Sequence, residues 1–129
     1  MKLLRYICNM KLYRKIIRYK SYFDDFLREQ RPKVVSKILQ TLRMIETLER
    51  IPSSHLKYLA ETNGLFEIRI QFGSDIFRIF CFFDDGNLVV LLSGFQKKTQ
   101  KTPPKEIERA VRLMDEYYQE KRKEMQNGR

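Results

Sequence analysis

Apolar residues change their spacing along this chain, and each change marks an element. The stretch from Leu12 to Tyr19 is rich in Ile and Tyr and predicts a first strand. Ser21, followed three residues later by Asp24, has the form of a helix cap with an acid in the first turn, predicting a short helix over Tyr22–Gln30. Pro32 suits the opening position of a second helix. Val34, Val35, Ile38, Leu42, Ile45 and Leu48 then recur at three- and four-residue steps, the mark of one apolar face, until Ile51-Pro52 ends the run. Two successive helices predict a hairpin whose apolar stripes need a surface to cover. Ser53–Glu61 predicts one more helical turn, capped by Ser53 or Ser54.

From Asn63-Gly64 onward the spacing switches to two. Leu65–Phe72, Ile76–Phe83 and Leu88–Phe95 predict three strands, separated by Gly73-Ser74-Asp75 and by Asp84-Asp85-Gly86-Asn87. Such short loops join antiparallel neighbours. Phe66, Ile68, Ile70 and Phe72 share one face of the first strand, and Glu67, Arg69 and Gln71 the other; in the second, Phe77, Ile79, Cys81 and Phe83 oppose a face carrying Arg78. A four-residue turn over Gly73–Ile76 pairs Phe72 with Phe77, sets Gln71 opposite Arg78 and leaves Arg69 one diagonal away. Both guanidiniums then stand on the side of the sheet away from the helices. Pro103-Pro104 opens a last helix with an apolar stripe of Ile107, Ala110, Val111, Met114 and Tyr118, acids at Glu106 and Glu108, and Lys121, Arg122 and Lys123 towards its end. The expected fold is therefore α+β: an N-terminal helical hairpin on a twisted, mainly antiparallel sheet, with a C-terminal helix.

Composition narrows the classes. The 129 residues are 43% hydrophobic, with five Gly and four Pro, enough for one packed domain and not for a pair of enzyme domains. Residues 11–124 form that domain, with a possible tail over 1–10 (Met10 offers an alternative start) and a frayed end over 125–129. A net charge of +10, from 26 basic against 16 acidic side chains, points to an anionic partner. Residues 96–105 alone carry Lys97, Lys98, Lys101 and Lys105 with no acid. Cys8 and Cys81 make no disulfide framework or zinc spacing, and read as an exposed tail thiol and a buried strand thiol. The single histidine, His55, reads as a loop or helix-start residue. No apolar run approaches the roughly 20 residues that span a bilayer, and Asn9 and Lys11 interrupt any signal-like start, so a cytoplasmic protein without a membrane partner is expected.

Leu65-Phe66-Glu67-Ile68-Arg69, then Phe77-Arg78-Ile79-Phe80, then Leu91 through Pro103 with its Gly94-Phe95-Gln96-Lys97-Lys98-Thr99-Gln100-Lys101-Thr102-Pro103 run, and then an Ala110-containing helix, together resemble the HigB-like, phage-derived branch of the RelE/ParE toxin superfamily. The resemblance covers roughly residues 11–118. It implies the toxin of a type II toxin–antitoxin pair that cuts messenger RNA on the ribosome, with no metal or cofactor. Its implied partners are a cognate antitoxin, in a hetero-oligomer, and the ribosome with its mRNA. Carried onto this chain, the catalytic positions are Arg69, Arg78, Lys97 and Lys98. Arg78 is the expected phosphate clamp, Arg69 a second electrostatic contact, and Lys97 or Lys98 a phosphate ligand or general base. Gln71, Phe80, Lys101 and Lys105 are the expected RNA-binding positions, Phe80 by stacking on a base. Where many relatives carry a His before the Gly-Phe step, this chain has Ser93.

Cations suit such chemistry because the phosphorane transition state carries more negative charge than the diester, and fixed donors stabilise it without reorganising. Two other readings stand beside this one: a ParE-like gyrase poison that cuts nothing, and a basic nucleic-acid-binding module without turnover. Taken singly, Arg69 and Arg78 also fit solvated positions on a sheet face, Glu67 fits an arginine partner, and the lysine run fits an exposed loop.

Overall fold

In the computed structural model, residues 11–128 are described; the expected tail over 1–10, with Cys8 and Met10, and the last residue lie outside them. The elements run β1 (Lys15–Arg18), α1 (Tyr22–Arg28), α2 (Pro32–Thr47), β2 (Leu56–Tyr58), β3 (Phe66–Phe72), β4 (Asp75–Asp84), β5 (Leu88–Lys97) and α3 (Pro104–Asn127). The strands form one five-stranded sheet in the order β1-β5-β4-β3-β2. Among the described residues only the edge pair β1–β5 is parallel. The α+β architecture is the one the spacing predicts.

Two layers of core lie on the two faces of the sheet. Phe23 and Phe26 of α1 and Val34, Ile38 and Ile45 of α2 pack on Ile68, Ile70, Phe77, Ile79, Cys81 and Leu91. On the opposite face Ala110, Leu113 and Met114 of α3 pack on Phe80, Phe82, Val90 and Leu92. The second face is therefore not the open one that the alternation suggests: α3 covers the Phe80–Phe82 end and leaves the hairpin end of β3–β4 to polar residues. Asp84 fastens this helix, accepting hydrogen bonds from Tyr117 Oη at 2.7 Å and Lys121 Nζ at 2.8 Å. Lys121 thus serves a buried carboxylate, and α3 continues through Asn127, past the end expected from Met125 onward.

Four local expectations are corrected. Ser21 does not cap α1 through its side chain; its Oγ donates instead to Asp25 Oδ2 at 3.1 Å. Leu48 lies past the end of α2 and is 38% exposed, so it drops out of the apolar stripe. Within Ser53–Glu61 the chain does not make a helical turn but lays Leu56–Tyr58 along β3, because the open edge of β3 satisfies its backbone groups better than a short isolated helix would. The β3–β4 register also differs. The turn has two residues, Gly73-Ser74, with Gly73 at φ 63°, so Phe72 faces Asp75 and Arg69 faces Arg78 directly.

A β-bulge completes the geometry. Ile79 pairs with Gly94 and Cys81 with Leu91, so Leu92 and Ser93 together oppose Phe80. The extra residue reverses the alternation of β5. Phe95 and Lys97 consequently fall on the same face as Arg78, whereas an unbroken strand starting from Leu91 would turn them to the other side.

Candidate functional site

Alternation along β2, β3 and β4, with the bulge of β5, gathers charge at the hairpin end of the α3-side face. Glu67, Arg69 and Gln71 project from β3, Arg78 from β4 and Lys97 from β5, with Lys57 of β2 paired opposite Glu67. Glu67 is the hub. Its Oε1 lies 3.5 Å from Arg69 Nε and 3.6 Å from Arg78 Nε, and its Oε2 accepts a hydrogen bond from Thr102 Oγ1 at 3.1 Å. Thr102 thereby ties the lysine-rich loop to the arginine pair.

One carboxylate does not satisfy two guanidiniums. Arg78 donates from Nη1 to the carbonyl of Phe77, 3.1 Å away, but the Nε atoms of both arginines are buried with no hydrogen-bond acceptor. The Arg78 side chain is 9% exposed and that of Arg69 31%, so the first is enclosed and the second reaches solvent. Burial lowers the proton affinity of Arg78; Glu67 opposes this and Arg69 reinforces it. Lys97 is lowered as well, first by burial and then by Arg78, with Glu67 acting in the opposite sense and Arg69 and Lys57 adding to the effect. Four cations around a single carboxylate, with guanidinium donors left over, make a site that a further anion would complete.

A groove of about 400 Å³ opens beside these groups, where β2 ends and leaves the edge of β3 uncovered. Arg69, Arg78 and Gln71 line it, together with His55, Ser54 and Lys37. Gln71 is exposed and donates to the carbonyl of Gly73 at 3.1 Å. Arg69, Arg78, Gln71 and Lys97 are thus brought together. Lys98, the next residue of the alternation, lies apart in a shallow groove with Phe26, Glu29 and Gln30 of the α1 side. Lys101 and Lys105 are exposed in the loop and in the first turn of α3.

Phe80 is a correction. Its ring is fully buried under α3 and stacked on Phe95, with centroids 5.6 Å apart, so it has no face to offer a base. Ser93 is buried with its Oγ unpartnered, but it borders a small pocket with Asp25 of α1 and Glu29 just past its end, and not the arginine groove. Cys81 is buried, and burial pushes its thiol up. Among the described residues no three His, Cys, Asp or Glu side chains come together as a metal site, and no helix is long and apolar enough to cross a membrane. The sequence gives Glu67 an arginine partner but not two, and does not single out Thr102, Lys57 or His55 for the site: Thr102 reaches Glu67 through the fold of its loop, and Lys57 and His55 through strand pairing.

Fold and site together define a small basic α+β protein whose sheet presents an anion-seeking cluster at one end. Residues 25–115 match the family described as phage derived protein Gp49-like (DUF891). The chain belongs to this Gp49-like family. Among solved structures it is similar to a chain of the archaeal RelE–RelB complex from Pyrococcus horikoshii OT3, at 16% identity and a TM-score of 0.45, over 64% of this chain and 93% of that one. No curated protein matches the sequence.

Proposed function

We propose that this protein is the toxin of a toxin–antitoxin pair and that it cuts messenger RNA on the ribosome, as in the HigB-like branch. Support comes from its membership of the Gp49-like family, a RelE-like toxin family. The observation that carries the chemistry is the pair Arg69 and Arg78, directly opposed across β3 and β4 with both Nε donors buried and unfilled. A phosphodiester offers the acceptor oxygens that this pair lacks.

In this reading Arg78 grips the scissile phosphate and Arg69 the same or the adjoining one. Lys97 serves the phosphate as ligand or general base, a role its lowered proton affinity favours. The ribose 2′-oxygen loses its proton and forms a bond to phosphorus, while the bond from phosphorus to the 5′-oxygen breaks and that oxygen takes up a proton. The products are a 2′,3′-cyclic phosphate and a 5′-hydroxyl. The cationic cluster stabilises the added charge on the phosphorane, and alignment of the strand supplies much of the remaining rate. An antitoxin that covers this face silences it, and the reaction belongs in the cytoplasm, where ribosomes are.

Purified protein added to translating ribosomes should cut mRNA at discrete positions. Arg78→Ala should abolish cutting and growth arrest while the protein still folds; Lys97→Ala should lose most activity and Lys98→Ala little, since Lys98 stands outside the cluster. Stabilised gyrase–DNA breaks without RNA cleavage, or salt-dependent RNA binding without turnover, would replace this reading with one of the other two. Full toxicity in a folded Arg78→Ala variant would remove the site assignment.

A further inference from the structure

We infer that His55 is a catalytic residue of this site, the base that removes the 2′-hydroxyl proton, an inference that rests on the RNA-cleavage reading above. Its position follows from the backbone. β2 pairs Leu56 with Ile68 and Lys57 with Glu67, and one step further the N–H of Arg69 donates to the carbonyl of His55 at 2.9 Å. His55 is therefore the next cross-strand partner of Arg69, outside the last regular pair of the strand. Alternation puts it on the face that carries Lys57, Glu67 and Arg69. One row of the sheet then reads His55, Arg69, Arg78 and Phe95 across four segments. Directly paired Cβ atoms lie about 5 Å apart, so the imidazole stands beside Arg69, the second phosphate contact of that reading, with Arg78 one strand further on.

The ring has no structural task that competes with this role. Its Nδ1 is buried without a hydrogen-bond partner. The side chain lines the same groove as Arg69, Arg78 and Gln71, at the open edge of β3, where a single nucleotide can enter. The charged groups around it are Lys37 from α2, Arg69 from β3 and Arg78 from β4 in the groove, with Lys57 of β2 and Glu67 of β3 in the next row of the sheet. Histidine is the side chain that serves most often as general acid or base in enzymes. In the forward step Nε2 takes the proton as the 2′-oxygen bonds to phosphorus. Lys97 is then free to act as a phosphate ligand.

The test is cleavage of a defined mRNA on programmed ribosomes from pH 6 to 8.5, with the full chain, His55→Asn, His55→Gln and His55→Ala. The three variants should bind a short single-stranded RNA as the parent does and unfold cooperatively. Their cleavage should fall by roughly 10²–10⁴-fold, the range typical of a lost general base. The parent's rate should rise with pH, that rise should flatten in His55→Asn and His55→Gln, and added imidazole should restore part of the rate to His55→Ala. A merely structural role would change neither the pH profile nor the response to imidazole. Variants that cleave within threefold of the parent, with its pH profile intact, overturn the inference and leave the RNA-cleavage reading standing. A folded parent that does not cut at all overturns both.

Discussion

Glu67→Gln separates two properties that usually move together. The amide keeps the shape of the side chain and can still meet Thr102, but it removes the one negative charge between Arg69 and Arg78. At 3.5 and 3.6 Å each ion pair has a gross Coulomb energy of about 4–5 kcal/mol at an effective dielectric of ~20. Desolvation of the buried carboxylate offsets much of that, and the 31% exposure of Arg69 reduces its pair towards the surface value of about 0.5–1 kcal/mol. The enclosed Arg78 pair dominates, since breaking a buried pair costs about 3–5 kcal/mol and the retained amide hydrogen bond trims the total. A net loss of about 3 kcal/mol is expected. For a domain of this size that lowers the melting temperature by about 10 °C.

Affinity for RNA should move the other way. A carboxylate held ~6 Å from a bound phosphate, at an effective dielectric of ~40, opposes binding by about 1.4 kcal/mol, so its removal should tighten binding by roughly tenfold. Thermal unfolding, and fluorescence anisotropy with a short single-stranded RNA at several salt concentrations, read both quantities. A variant of unchanged stability would show that Glu67 does not compensate the arginines. A variant that binds RNA more weakly would show that these arginines are not the phosphate grip.

Two further predictions concern the frame around the site. Burial pushes the Asp84 carboxyl up, but hydrogen bonds from Lys121 and Tyr117 outweigh it and hold the group below the usual aspartate range. A lowered folded value contributes stability that is complete above the unfolded value of about 3.9 and is lost as pH falls through the lower folded value. Asp84→Asn should therefore cost about 2 kcal/mol at pH 7, a difference that shrinks below about pH 4 in urea titrations. Removing the same carboxylate relieves Tyr117, whose phenol burial and Asp84 push up to about 12, so its absorbance titration should move to lower pH. Gly94→Ala would set a methyl 2.6 Å from Cδ2 and 2.8 Å from Cγ of Phe26, a ring packed edge-on against Phe77. Overpacking of this kind costs about 1–3 kcal/mol, measurable as a lower urea midpoint, and should leave RNA affinity within twofold because the clash lies on the opposite face from Arg78.

The sequence by itself determined the α+β class, the two early helices, the β3–β4–β5 meander and the final helix, because periods of 3.6 and 2 and the turn residues are local physics, while Arg69, Arg78, Lys97 and Lys98 are candidates through the family resemblance of their motifs. Pairing decided the rest. The Gly73 turn was legible as a turn but not as a two-residue one, and that single step converts Arg69 and Arg78 from diagonal to directly opposed. The bulge opposite Phe80 leaves no mark in the periodicity of β5, yet it brings Lys97 to the arginines while Lys98 stands apart. The pattern also placed Phe80 on a polar face, where only the packing of α3 shows it buried. Ser53–Glu61, which holds His55 and Lys57, predicts a helical turn because β2 exists only against the free edge of β3. A cap signal near a proline is local, whereas the unpaired backbone groups that override it belong to β3, across the loop that follows β2.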